Sequence, residues 1–393
     1  MVFPEGELDL SRCRHTIELL RADDLGRGRK LDFQEFINLP SDQTSDYLKN
    51  KLRNLISGVL ILEDDGPYQM FNRHDITHLD RVNNMAHSFL DESQKQKQEL
   101  ITPLERNIST AIAYLHDIGN NIDRKKHGEI SANLFFKIFS NYDSSDIAVR
   151  SILSGIKLHD EQVGVKLNDM DKVGGDSEYI NVFPQPILAV IAADKLDIGR
   201  HRLSTALTES LPAAFEHIIE ETPHTLVVIY AQNSQLIFTD DGKRLNWQID
   251  FSTDISAEEN SQTRKILEQF IWKDEDIYVP REWHANWKKN DIPYSASYLG
   301  KMRSLYCTRL ALMFSSLYAL LPQLETVQIK VADSKSYIET SIVSEYPRDT
   351  WQDILFMVWK KIHKDDYKLG MINLPNILKS GEKHYEQRKG YSI

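Results

Sequence analysis

An adjacent histidine and aspartate, His116-Asp117, stand where an apolar stretch of the sequence stops at Gly119. Neutral imidazole and carboxylate are both good ligands for divalent metal ions, and a carboxylate can offer its second oxygen to a second ion. A helix C-terminus with a histidine near the dipole is an alternative that needs no metal. The pair therefore indicates metal chemistry only if other ligands along the chain converge on it.

Histidine and aspartate recur on the apolar faces of further segments that we predict to be helical. His78 precedes Val82 by four positions, so the two residues lie on one helix face. The same spacing places His127, His159 and Asp194 on the apolar sides of three later segments. Buried imidazoles and carboxylates are costly unless they are paired, so convergence on a cation is the economical interpretation. Hydrogen-bonded core histidines are the alternative.

The order of these residues resembles the pattern of the HD-domain metal-dependent phosphohydrolases over about residues 70–200. That pattern is a histidine one turn before Arg-Val, then His-Asp, then a later aspartate. The matching segments are His78-Leu-Asp-Arg81-Val82, Leu115-His116-Asp117-Ile-Gly119 and Ala192-Ala-Asp194-Lys195. Members with two ions add two histidines before the last aspartate, and His127 and His159 are at the equivalent positions.

The resemblance implies a binuclear metal centre. It assigns the first ion to His78, His116, Asp117 and Asp194, and the second to Asp117, His127 and His159. Nitrogen and oxygen ligands without thiolate suit Mn²⁺, Fe²⁺, Co²⁺, Ni²⁺ or Zn²⁺. The resemblance implies two such ions per chain. Two neighbouring ions can clamp the attacking and leaving oxygens during in-line attack on phosphorus.

Three residues are expected to contribute directly to catalysis. Asp117 would bridge the ions, while Arg81 and Lys195 could neutralise charge on phosphate oxygens. Both cations could equally be ion-pair partners of the many acidic residues.

The expected function is metal-dependent hydrolysis of a phosphate ester or anhydride in a small, nucleotide-like substrate. A single-strand nuclease and a non-catalytic, metal-stabilised ligand sensor are the alternatives. The formal charge of −11 argues against general nucleic-acid binding. Cyclic di-GMP is disfavoured because the Gly-Tyr-Pro signature of the subfamilies that cleave it is missing after His159.

Composition indicates a globular protein. The chain has 393 residues, 41% of them hydrophobic, which is enough to bury a large core. Its two cysteines stand far apart, so neither a disulfide framework nor a thiolate metal site is supported. No apolar run is long enough to span a bilayer. We expect a cytoplasmic protein without membrane contact, and homo-oligomerisation stays open.

The pattern of the chain changes near residue 222, which predicts two domains. Residues 1–222 are expected to form a mainly α HD-type helical bundle with an N-terminal helical extension. Helices are predicted at Ser11–Arg21 in this extension and at Leu203–Glu221. Residues 223–393 are expected to form an α+β domain of unknown role. Short apolar stretches separated by turns indicate strands at Thr225–Tyr230, Leu236–Thr239 and Leu245–Phe251, and capping-box spacing indicates a helix that begins at Ser256. Between them, the polar connection Asp160–Phe183 is interpreted either as a lid or as a passive surface insertion.

Overall fold

Helices dominate the first part of the protein, and a small sheet follows later in the chain. The computed structural model describes residues 30–64, 75–98, 100–121, 126–159, 182–199, 202, 231–251, 309–333 and 342–353. The mainly helical class with a later strand-containing part is therefore confirmed. The HD-type arrangement of the bundle stays a prediction.

Seven helices precede the sheet in the described residues. They are α1 (Phe33–Ile37), α2 (Ser41–Asp64), α3 (Ile76–Lys97), α4 (Pro103–Leu115), α5 (His127–Ile138), α6 (Ile147–Leu158) and α7 (Pro184–Leu196). A short 3₁₀ helix, Ile118–Asn121, follows α4, and strands β1 (Leu31–Asp32) and β2 (Phe139–Ser140) pair in parallel. None of the described helices combines the length and the apolar composition that a membrane crossing requires.

Side chains at the helix starts determine where α3 and α4 begin. Asp75 accepts hydrogen bonds from the backbone of Thr77 and His78, at 3.0 and 3.1 Å, and so places His78 in the first turn of α3. Thr102 and Glu105 form a reciprocal capping box at the start of α4. Each cap satisfies backbone donors that have no partner inside the helix.

Helix α4 lies at the centre of the bundle. Every residue from Asn107 to Leu115 is buried, and α4 packs against α1, α2, α3, α5, α6 and α7. Gly119, just after α4, allows the close approach of α5, because a Cβ atom there would lie 2.3 Å from the carbonyl oxygen of His127. The adjacent His116 and Asp117 thus directly follow the most central helix of the bundle.

The sheet has the strand order β3-β4-β5-β6. Its strands are β3 (Ala231–Thr239), β4 (Arg244–Phe251), β5 (Thr326–Asp333) and β6 (Ile342–Pro347). The outer pairs are antiparallel, and the central pair, β4 and β5, is parallel. Residues 309–320 form helix α8, which precedes β5 in this part of the chain.

Residues of the bundle and of the sheet belong to one continuous hydrophobic core. Ser93 of α3 donates a hydrogen bond to the carbonyl of Leu320, 3.0 Å away, and Gln96 donates one to the carbonyl of Gly242 at 3.1 Å. The ring of Phe89 contacts that of Phe238 edge to face. Helix α3 is therefore shared between the bundle and the sheet. The division at residues 222 and 223 stays a prediction, since both residues lie outside the described ranges.

Several segments for which the sequence predicts structure also lie outside the described residues. They are the N-terminal helix Ser11–Arg21, most of the connection Asp160–Phe183, the helix Leu203–Glu221, the strand Thr225–Tyr230 and the helix that begins near Ser256.

Candidate metal centre

Helix ends bring the six predicted ligand residues to one place. His78 lies in the first turn of α3, and His127 is the first residue of α5. His116 and His159 follow the last residues of α4 and α6, and Asp194 lies in the last turn of α7. Asp117 comes directly after His116. The residues fall into two groups that share Asp117, each with ligand atoms within 4.8 Å of one another.

The first group surrounds one oxygen of each aspartate. Oδ2 of Asp117 lies 3.0 Å from Nε2 of His116 and 3.5 Å from Nε2 of His78. Oδ1 of Asp194 lies 3.6 Å from Nε2 of His78 and 3.9 Å from Nε2 of His116. All four residues are buried. Two imidazoles and two carboxylate oxygens thus face one another across a small interior space.

The second group uses the other oxygen of Asp117. Oδ1 lies 3.3 Å from Nε2 of His127 and 3.4 Å from Nε2 of His159. The side chain of His127 is 18% exposed, whereas that of His159 is 2% exposed. His127 is therefore the most exposed residue of the second group, and Asp117 presents one oxygen to each group.

Hydrogen bonds at the opposite ring nitrogen orient three of the histidines. Nδ1 of His116 donates to the carbonyl of Ala113 at 2.9 Å, and Nδ1 of His159 donates to the carbonyl of Ile156. Because a carbonyl only accepts, the proton of each neutral ring is on Nδ1 and the lone pair is on Nε2. Nδ1 of His78 lies 2.6 Å from Oδ2 of Asp197, which favours the same tautomer. Such hydrogen bonds are typical of metal-binding histidines.

One buried nitrogen in this interior suits a cation better than it suits a hydrogen bond. Nε2 of His116 is buried and makes no hydrogen bond within the described residues, although Oδ2 of Asp117 lies 3.0 Å away. Nε2 of His127 lies 2.9 Å from Nε2 of His159, which is within hydrogen-bond distance. Buried polar atoms normally have partners, so Nε2 of His116 fits a ligand of a metal ion. The buried histidine and aspartate groups could bind metal ions.

The carboxylates and nearby cations control the charge of the site. Burial lowers the pKa of His116, but the charges of Asp117 and Asp194 outweigh burial and raise it above its usual value. Burial raises the pKa of Asp194, but the charges of Lys195, His116 and Arg309 hold it well below its usual range. Asp194 therefore stays ionised, as a metal ligand must.

The two predicted catalytic cations are both bound to carboxylates. Arg81 donates from Nε and Nη2 to Asp197, at 2.8 and 3.2 Å, and its side chain is 31% exposed. Lys195 is buried, and its Nζ donates to Oδ2 of Asp194 at 2.8 Å. Lys195 thus binds the oxygen of Asp194 opposite to the one that faces the histidines.

Asp197 is the residue of this site that the sequence reasoning missed. Its buried carboxylate accepts hydrogen bonds from Arg81 and contacts Nδ1 of His78. Its backbone carbonyl accepts a hydrogen bond from Nη1 of Arg202 at 3.0 Å. Its position three residues after Asp194, just past the end of α7, was the available signal, since residues three apart share one face of a helix. Nothing local in the sequence indicated a contact with His78, which is 119 residues away.

Replacing Asp197 with asparagine is expected to weaken binding of the first ion by about 10- to 100-fold, because His78 and Arg81 lose their charged partner. Competition of the purified variant with a chelator for Co²⁺ measures this affinity. Asp91→Asn is the matched control, because Asp91 also accepts from an arginine, Arg106, but is exposed on α3 away from the site. Unchanged Co²⁺ affinity in Asp197→Asn would contradict the expected orienting role.

Comparisons with known proteins do not identify a family for this chain. No protein-family model, no curated protein and no solved structure matches the chain significantly.

Proposed function

We propose that the protein is an HD-type, metal-dependent phosphohydrolase that cleaves a phosphate ester or anhydride bond in a small, nucleotide-like substrate. The observation that carries this proposal is the division of six inward-facing ligands into two groups that share Asp117. Two sites joined by a bridging carboxylate are typical of binuclear hydrolases. The order of these ligands along the chain, which resembles the HD-domain pattern, also supports the proposal.

The residues of the protein would hold two ions and keep them close together. When bound, two divalent ions supply Lewis-acid activation of a water molecule and the positive charge that attracts a phosphate group. Asp117 would offer one oxygen to each ion, since its two oxygens face different groups. Lys195 holds one oxygen of Asp194, which leaves the other directed at His78 and His116.

The exposed side of the centre determines where a substrate would enter. His127 is the most exposed of the six ligands, so we place the substrate on the side of the second group. Arg81 is partly exposed and stands one turn from His78, and we propose that it contacts phosphate oxygens. Lys195 is buried, so we propose that it acts through Asp194.

Purified protein is expected to carry about two transition-metal ions per chain, because two complete ligand groups are present. Elemental analysis before and after chelation and reconstitution measures this content. The reconstituted protein is then assayed with Mn²⁺, Co²⁺, Ni²⁺ or Mg²⁺ against nucleoside mono- and triphosphates, cyclic dinucleotides, alarmones and single-stranded oligonucleotides.

The outcomes of this experiment separate the candidate functions. Well under one ion per chain, with none taken up on reconstitution, would contradict the metal centre. Cleavage of oligonucleotides alone would favour the nuclease. Two bound ions without turnover of any substrate would favour a ligand sensor.

A further inference from the structure

Arg309 links the later part of the chain to the backbone of a ligand residue. It is the first described residue of α8, and its Nη2 donates to the carbonyl of Asp194 at 2.8 Å while its Nε donates to the carbonyl of Lys195 at 3.1 Å. The last carbonyls of an α-helix have no partner within the helix, and the planar guanidinium can bind two at once. Arg309 therefore satisfies two backbone acceptors in the last turn of α7.

The backbone that Arg309 binds carries the side chain that would ligate the first ion. Oδ1 of Asp194 lies 3.6 Å from Nε2 of His78 and 3.9 Å from Nε2 of His116. Fraying of the last turn of α7 would rotate this carboxylate, and a shift of about 1 Å is large compared with the tolerance of a metal–oxygen bond. Fixing the carbonyl of Asp194 therefore limits how far its carboxylate can move, while Lys195 holds the carboxylate itself.

Helix α8 is itself held firmly against the bundle. Its residues from Leu310 to Phe314 are buried, and Leu317 and Leu320 are buried as well. The carbonyl of Leu320, at the far end, accepts a hydrogen bond from Ser93 of α3. Since α3 also carries His78, α8 contacts two helices that bring ligands to the first group, α3 and α7.

We propose that Arg309 is a positioning residue for the first ion, through which α8 determines how tightly this ion is held. The inference rests on the proposed function, because it requires the metal centre. Arg309 acts through the backbone of Asp194 and needs no contact with the ion or with the substrate. The ligands of the second ion, Asp117, His127 and His159, do not depend on this contact.

The test is a Co²⁺ titration of the full-length protein, with a competing chelator and visible absorption to resolve the two binding events. Arg309→Ala is expected to weaken one event by about 10- to 100-fold and to leave the other unchanged, since outer partners of ligands have effects of this size. Arg309→Lys keeps the charge but cannot span both carbonyls, so it is expected to weaken the same event by a smaller factor.

Arg348→Ala is the matched control. Arg348 donates from Nε to the carbonyl of Leu324 at 2.9 Å and from Nη2 to the carbonyl of Leu321. Like Arg309, it therefore binds two backbone carbonyls, but these follow the C-terminal end of α8 and lie on no ligand residue. This variant is expected to lose stability and to bind both Co²⁺ ions like the wild type. Thermal unfolding of the metal-free proteins measures stability separately from affinity.

Three results would overturn the inference. Wild-type Co²⁺ affinity in Arg309→Ala would do so, and if that variant does not fold, the same result in Arg309→Lys decides. Equal loss of affinity in the Arg309 and Arg348 variants would show a general effect of stability. Absence of Co²⁺ binding by the wild type would overturn the metal centre as well, whereas the first two results leave the proposed function standing.

Discussion

Replacing Asp117 with alanine is expected to empty both ion sites and to abolish hydrolysis. The variant removes the one residue that both ligand groups share, leaving three ligands in the first group and two in the second. Loss of both ions removes several kcal/mol of transition-state stabilisation, so kcat is expected to fall by at least about a thousandfold. Metal content per chain and kcat of the purified variant are the measurements.

Asp117→Asn and Asp91→Ala are the controls for this prediction. Asparagine keeps the size of Asp117 but has only one oxygen, so it is expected to lose the second ion first. Asp91 is an exposed aspartate of α3, and its replacement should change neither metal content nor rate. Retention of two ions and of substantial activity in Asp117→Ala would contradict the proposed bridging role of Asp117.

Replacing His127 or His159 with alanine is expected to release the second ion and keep the first. Neither residue belongs to the first group, so all four ligands of the first ion survive. Without the second ion the attacking and leaving oxygens are no longer clamped together, and kcat is expected to fall by on the order of a hundredfold, which is about 3 kcal/mol. The fold should persist.

His78→Ala provides the comparison within the site, because it removes a ligand of the first group only. Elemental analysis should therefore find about one ion per chain in both the His78 and the His127 variants, and the visible absorption of the Co²⁺-loaded proteins should show that the remaining ion differs. Thermal unfolding should separate these losses from misfolding. Full activity in both His127→Ala and His159→Ala would leave a one-ion centre of His78, His116, Asp117 and Asp194.

Helical periodicity distinguishes the ligand residues from the apolar residues around them. An α-helix repeats every 3.6 residues, so an imidazole or carboxylate among inward-facing apolar residues must itself face inward. His78, His159 and Asp194 follow this rule and are buried. His127 departs from it slightly, since it is the first residue of α5 and stays partly exposed.

The sheet shows where local patterns stop being informative. Alternation and turn residues predicted strands near Leu236–Thr239 and Leu245–Phe251, and the structure has longer strands at both places. The parallel pairing of β4 with β5 joins segments separated by α8. Such pairing depends on contacts across the fold, and no residue of either strand specifies its distant neighbour.

The sequence by itself determined which residues face the interior, because burial follows the period of each element. Histidine and aspartate residues on apolar helix faces stand out, because burying a polar group without a partner is costly. Only the tertiary structure decided which of these residues meet. Apart from the adjacent His116 and Asp117, the division of ligands around the two oxygens of Asp117, the contact of Asp197 with His78 and that of Arg309 with the end of α7 join residues 10 to 119 positions apart. Relative rotation and translation of packed helices set these distances, and packing over the whole core determines both.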